Sequence, residues 1–83
     1  MTLSDLEAGD AAIVEYIAAG QHGSDLANRL AALGVVSNKP IRVLRKAQFG
    51  GPLHIRVGLT TEIAIRCREA DTVAVRRLED VLA

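Results

Sequence analysis

Eighty-three residues are enough for one domain, and a domain this short buries roughly 60–65% of the surface its unfolded chain would expose, which leaves no material for a second core. Apolar residues make up 49% of the chain and the formal charge is zero, a combination that excludes a disordered, self-repelling segment. Tyr16 and Phe49 are the only aromatics, so the core has to be aliphatic.

Taken in chain order, Leu3-Ser4-Asp5-Leu6 and Ala8-Gly9-Asp10 read as a lead-in and a turn. Ala11 to Ile17 is rich in β-branched residues and reads as a strand. Gly20-Gln21-His22-Gly23 interrupts it. Ser24 then has the character of a helix N-cap, with Asp25 in the first turn where a carboxylate suits the helix dipole. Leu26, Leu30 and Leu33 recur at helical spacing, Ala27 and Ala31 widen the stripe, and Gly34 follows as the C′ residue. This predicts the one long helix.

The rest is β. Ser37-Asn38-Lys39-Pro40 reads as a turn and Ile41 to Lys46 as a strand. Phe49-Gly50-Gly51-Pro52 is a tight reversal, its glycines free to take positive φ. Leu53 to Val57 alternates cleanly, placing Leu53, Ile55 and Val57 inside. After Gly58 the alternation returns over Glu62–Arg66, with Ile63 and Ile65 inside. Arg68-Glu69-Ala70-Asp71 is long enough for a single turn, Thr72 to Val75 forms a fifth strand, and residues 77–83 suggest a terminal helical turn. No repeat, linker or low-complexity segment interrupts the chain. The expectation is a single domain over residues 1–83, mainly β: a small barrel of about five strands with one inserted α-helix, closed so that no sheet edge is exposed.

Charge is unevenly spread. Residues 1–34 carry Arg29 against five acids, and residues 35–83 carry nine basic side chains against five acids, net −4 and +4. Such a split marks either a basic binding face or a solvated dipolar surface. Cys67 is the only cysteine, so no internal disulfide forms and a reducing cytosol is the expected compartment. No apolar run approaches the roughly 20 residues that span a bilayer, and Met1-Thr2-Leu3-Ser4-Asp5 lacks the basic-then-apolar layout of a signal peptide.

The succession Leu3-Ser4-Asp5-Leu6, Gly9, Arg29-Leu30-x-x-Leu33-Gly34-Val35, Ile41-x-Val43, Gly50-Gly51-Pro52-Leu53-x-Ile55-x-Val57, Glu62-Ile63-Ala64-Ile65-Arg66-x-x-Glu69-Ala70-x-x-Val73-x-Val75 resembles the FeoA family over roughly residues 3–76. The order and spacing carry the resemblance rather than any one element. It implies an SH3-like barrel, a role in bacterial ferrous-iron uptake, FeoB (a membrane transporter with a cytosolic GTP-binding domain) as partner, and kinship with the SH3-like domain of DtxR-type iron-dependent repressors. The family turn commonly reads Pro-Gly where this chain has Ser37-Asn38; Asn tolerates the left-handed conformation, so the turn can be kept.

Candidate sites follow from residue chemistry. No P-loop, dinucleotide-binding glycine pattern or HExxH is present, and Cys67 follows the Ile63/Ile65 alternation toward the core without a local base, so no catalytic residue is assigned. Arg42, Arg45, Arg56 and Arg66 are mounts for a guanidinium offered to a partner GTPase, although surface solubility explains each. His22 and His54 are the only histidines and lack metal-ligand spacing, so no cofactor is expected and the two are weak metal candidates at most. Arg42, Arg56 and Arg66, with Lys46 nearby, would form a basic stripe across adjacent strands; without stacking aromatics no nucleic acid is expected as partner. The partner-binding set is therefore Phe49, Gly50, Gly51, Pro52, Arg42, Arg56 and Arg66. Phe49 either anchors a partner or folds back over the open end of the barrel.

The resulting expectation is a non-enzymatic cytoplasmic accessory that regulates FeoB and reaches the inner face of the membrane only through that partner, with weak self-association left open. The alternatives are a small-barrel nucleic-acid-binding protein, marked by salt-dependent oligonucleotide binding, and a regulatory SH3-like domain related to metal-dependent repressors, marked by an upstream helix-turn-helix.

Overall fold

A computed structural model describes residues 1–18 and 23–78. Five strands, β1 (Ala11–Ile17), β2 (Pro40–Lys46), β3 (Leu53–Val57), β4 (Thr61–Ile65) and β5 (Val73–Arg77), form one antiparallel sheet in the order β4-β3-β2-β1-β5. Helix α1 (Gly23–Ala32) connects β1 to β2, and a single helical turn, α2 (Cys67–Ala70), connects β4 to β5. A 3-10 turn over Leu3–Asp5 precedes them all. The strands predicted at 11–17 and 53–57 have these bounds, and the others differ by one or two residues at their ends.

Leu53, Ile55 and Val57 of β3 lie on the inner face, opposite Val43 and Ile41 of β2 and in one layer with Val14, Val73 and Val75. Leu26 and Leu30 close that layer from α1. No polar or charged side chain is buried among the described residues, so the core is the aliphatic one that the composition requires, and its stability comes from apolar burial.

Two one-residue bulges break the alternation. Val14 pairs with Val75 but Tyr16 with Ala74, so Glu15 is the extra residue of β1. Val43 pairs with Ile55 but Arg45 with His54, so Leu44 is the extra residue of β2. A bulge reverses which face the following residues present. Tyr16 is thereby turned out, 60% exposed, while Ile17 lies opposite buried Val73. Lys46 is turned in, opposite Leu53.

Helix α1 ends in a Schellman motif. The Gly34 N–H donates to the Ala31 carbonyl at 3.0 Å and the Val35 N–H to the Leu30 carbonyl at 2.9 Å, with Gly34 at φ 96°. Leu30 and Val35, the apolar pair expected of this cap, are both buried. Asn38 takes φ 71°, so the Ser37-Asn38 turn does keep the left-handed residue.

Several expectations are corrected. Ser24 lies inside α1, which starts at Gly23, rather than capping it. Leu33 lies beyond the last helical residue and is 40% exposed, so the apolar stripe consists of Leu26 and Leu30. Leu3 and Leu6 are no mere lead-in: both are completely buried. The sheet is not closed by strand pairing among the described residues. The β5 side is met by a bridge from Thr2 to Ala74 and by the Val75 N–H donating to Met1 at 3.0 Å, whereas β4 is an outer strand. Ile63 of β4 is accordingly only half-buried. The terminal helical turn expected over 77–83 is met in part: Arg77 still ends β5, Leu78 is helical, and residues 79–83 lie outside the described ones.

Candidate partner-binding site

The β2–β3 hairpin turns through Ala47–Pro52. The Ala47 N–H donates to the Pro52 carbonyl at 3.1 Å and the Gly51 N–H to Gln48 at 3.2 Å. Phe49 sits at φ 59° and Gly50 at φ 75°, so the glycine meets the conformation freely and the phenylalanine does not. Gly51 has an ordinary φ but no space: a Cβ there would stand 2.6 Å from that of Ala47. The Phe49 side chain is fully exposed. It does not fold back over the barrel end, which the N-terminal turn covers with Leu3 and Leu6. An aromatic held in left-handed backbone and wholly in solvent contributes nothing to the core.

That cover is fixed by polar contacts. The Lys46 ammonium donates to the carbonyls of Ser4 at 2.8 Å and Leu6 at 3.0 Å and lies 3.5 Å from Glu7. Asp5 accepts the Thr2 N–H at 2.8 Å; this bond, with smaller help from the Thr2 hydroxyl, the α-amino group and Lys46, holds the Asp5 carboxyl below its ordinary value. Ser4 donates its hydroxyl to Asp71, just past α2.

The basic stripe does not exist as expected. Arg42 and Arg56 are directly opposite each other, but Glu62 follows in the same row and its carboxylate is 3.6 Å from Arg56 and 3.5 Å from His54. Arg42 donates to the Gly9 carbonyl at 2.9 Å, and Lys46 is committed to the N-terminal turn. Arg66 belongs elsewhere, past the end of β4 where α2 begins. The candidate set thus divides: Phe49, Gly50, Gly51, Pro52 and Arg66 gather at the hairpin end, and Arg42 and Arg56 sit toward the opposite end of their strands.

Gly50, Pro52, Ala64, Arg66, Cys67 and Arg68 border one open depression of about 580 Å³. Cys67, read from the alternation as core-facing on a strand, is the first residue of α2 and half-buried, packed against the edge of the core. Glu69 accepts the Arg66 backbone N–H at 3.2 Å and forms an ion pair with Arg29, joining α1 to α2.

The sequence-level charge split is largely absorbed by folding. Glu7 meets Lys46, Asp10 meets Arg77 and Glu15 meets Arg76, so acids of the first part of the chain pair with cations of the second. Arg45, Arg66 and Arg68 form no ion pair among the described residues. Arg68, which sequence reasoning did not select, joins the site because the passage from β4 into α2 leaves both it and Arg66 on the border of the same depression. No group of three or more His, Cys, Asp or Glu able to hold a metal is present among the described residues, and His22 lies outside them.

Comparison with known proteins places this geometry in a family. The FeoA domain model matches residues 1–77. A crystal structure of an iron uptake regulatory protein, FeoA, is 32% identical with a TM-score of 0.81, over 94% of this chain and 97% of that one. FeoA of Stenotrophomonas maltophilia, solved with zinc and described as a procaryotic SH3 domain protein proposed to activate bacterial ferrous iron transport, is 36% identical with a TM-score of 0.78, over 92% and 89%. A manganese-dependent transcriptional repressor shares the fold alone, at 19% identity and a TM-score of 0.83, over 94% of this chain and 41% of that one. No curated protein sequence matches the chain. The chain belongs to the FeoA family, whose members are ferrous iron transport accessories, and its bent five-stranded sheet is an SH3-like fold.

Proposed function

From membership in the FeoA family, we propose that this chain is a non-enzymatic cytoplasmic accessory that docks on the cytosolic region of the FeoB transporter and tunes its transport or nucleotide turnover. The observation that carries the docking reading is Phe49: the one large aromatic near the hairpin tip stands fully in solvent in backbone that disfavours it. Strain kept at an exposed apolar side chain fits a residue used for binding rather than for folding. Gly50, Gly51 and Pro52 shape the loop that presents it, and Arg66 stands beside it. Arg42 and Arg56 lie away from this end and are assigned a solubility role. Attachment to the membrane follows only from the partner, since among the described residues no helix is long and apolar enough to cross a membrane.

Titration calorimetry against the isolated cytosolic region of FeoB, with GDP and then with a GTP analogue, tests the reading. Binding is expected, with an affinity that differs between the nucleotides, and Phe49→Ala should weaken it at least tenfold while leaving the fold intact. Absence of binding in both nucleotide states would overturn the proposed partner.

A further inference from the structure

We propose that the depression between the β2–β3 loop and the start of α2 receives an acidic, extended segment of a partner protein, with Arg66 and Arg68 as its carboxylate receptors. This rests on the docking reading and names the chemistry of what docks. Arg66 and Arg68 border the same open depression, and neither forms an ion pair among the described residues, unlike Arg29, Arg56, Arg76 and Arg77. Among the described residues, then, no ion pair has to be broken for them to accept a ligand. A guanidinium grips a carboxylate through two parallel N–H bonds, which gives orientation as well as charge. Pro52 and Ala64 supply an apolar wall between the loop and the two arginines.

The extended shape follows from what adjoins the depression. Arg66 also borders a second groove, between α1 and the outer strand β4, together with Leu33 and Ile63. Both of these apolar side chains are incompletely buried. Strand β4 has a neighbour on one side only, so its outer main-chain groups are available to an added strand. A segment with alternating acidic and apolar residues can follow this edge, place carboxylates on Arg66 and Arg68, and cover Leu33 and Ile63. Nucleic acid suits the place less well. Phe49 is the only aromatic at this end, and Tyr16 projects from β1 across the sheet, so there is no stacking platform for successive bases.

The test is an NMR titration of the ¹⁵N-labelled chain with a short synthetic peptide of alternating Glu and Val, its Gln/Val counterpart, and an oligothymidine. Saturable shifts are expected at the amides of Gly50, Gly51 and Leu53 and of residues 63–68, falling with added salt. The Gln/Val peptide and the Arg66→Glu/Arg68→Glu variant should each lose at least tenfold in affinity. Arg42→Glu/Arg56→Glu should stay within twofold of the parent. An unchanged affinity in Arg66→Glu/Arg68→Glu would overturn the proposal, as would oligothymidine binding the same residues more tightly than the peptide. Arg66→Gln/Arg68→Gln, which removes charge without reversing it, repeats the comparison if the first variant is poorly folded. The same variants tested against the FeoB cytosolic region separate the two readings. Peptide binding without FeoB binding removes only the named partner, and FeoB binding indifferent to Arg66 and Arg68 removes only this inference.

Discussion

The Lys46 ammonium donates to the Leu6 carbonyl at 3.0 Å, so a cation at the end of β2 holds down the turn that carries two of the most deeply buried leucines. The bond spans 40 positions of sequence, and it exists because the Leu44 bulge turns Lys46 inward. Without it the carbonyls of Ser4 and Leu6 would depend on water that the half-buried site admits poorly.

Lys46→Met should therefore destabilise the protein by about 1.5–3 kcal/mol, the range for hydrogen bonds to a charged donor. Arg45→Met, one residue earlier and outward, should stay within about 0.5 kcal/mol. Urea unfolding of both variants decides it, and equal effects would mean that the Lys46 contacts carry no stability.

Gly34→Ala forces a Cβ into backbone at φ 96°, where it would also stand 3.4 Å from Val57. The left-handed penalty alone is about 1–2 kcal/mol. A drop in thermal midpoint accompanied by loss of amide protection at Gly34 and Val35 would show that the Schellman cap has opened.

Phe49→Asn should do the opposite of a core substitution. Asn accepts the left-handed region more readily than Phe, and no buried area is lost, so stability should rise by up to about 1 kcal/mol. Calorimetric melting reads this directly. A loss of 3 kcal/mol or more, the scale of a buried aromatic, would place Phe49 in the core and remove it from the docking surface.

Asp5 sets an acid-sensitive contribution. Its carboxyl has a lower pKa folded than unfolded because the Thr2 N–H favours the charged form. The stabilisation is complete above the unfolded value, ordinarily 3.8, and disappears as pH falls through the lower folded value. The stability difference between parent and Asp5→Asn should be constant near neutrality and shrink below about pH 4. A difference that persists unchanged at lower pH would assign the effect to shape rather than charge.

Much of this fold is legible in the residues. The Leu53–Val57 alternation could be read to the residue because β3 has neighbours on both sides and one face wholly buried, so the period of two is undiluted. Gly34 was legible because the cap needs a left-handed residue followed by an apolar one, and Gly34-Val35 supplies both. The bulges at Glu15 and Leu44 were not, since an extra residue in a strand leaves no compositional mark; hence the faces of Tyr16 and Lys46 could not be assigned. Leu3 and Leu6 were hidden because a three-residue turn is too short to show a period. Within the site, the Phe49–Pro52 loop was recognisable from its glycines, whereas the separation of Arg66 from Arg42 and Arg56 depends on strand register, and the partnership of Arg66 with Arg68 on where the chain passes from β4 into α2.

The Leu44 bulge has a further consequence for how this domain can diversify. Residues of β2 before it and after it follow opposite inside–outside rules, so the strand consists of two half-strands that answer to different constraints. Substitutions in the first half are disciplined by the packed interior. Those in the second half stay paired to β3 and, at Lys46, to the N-terminal turn, so the freedom to vary lies in the loop beyond them. The tip can thus change its partner over evolutionary time while the interior remains the same.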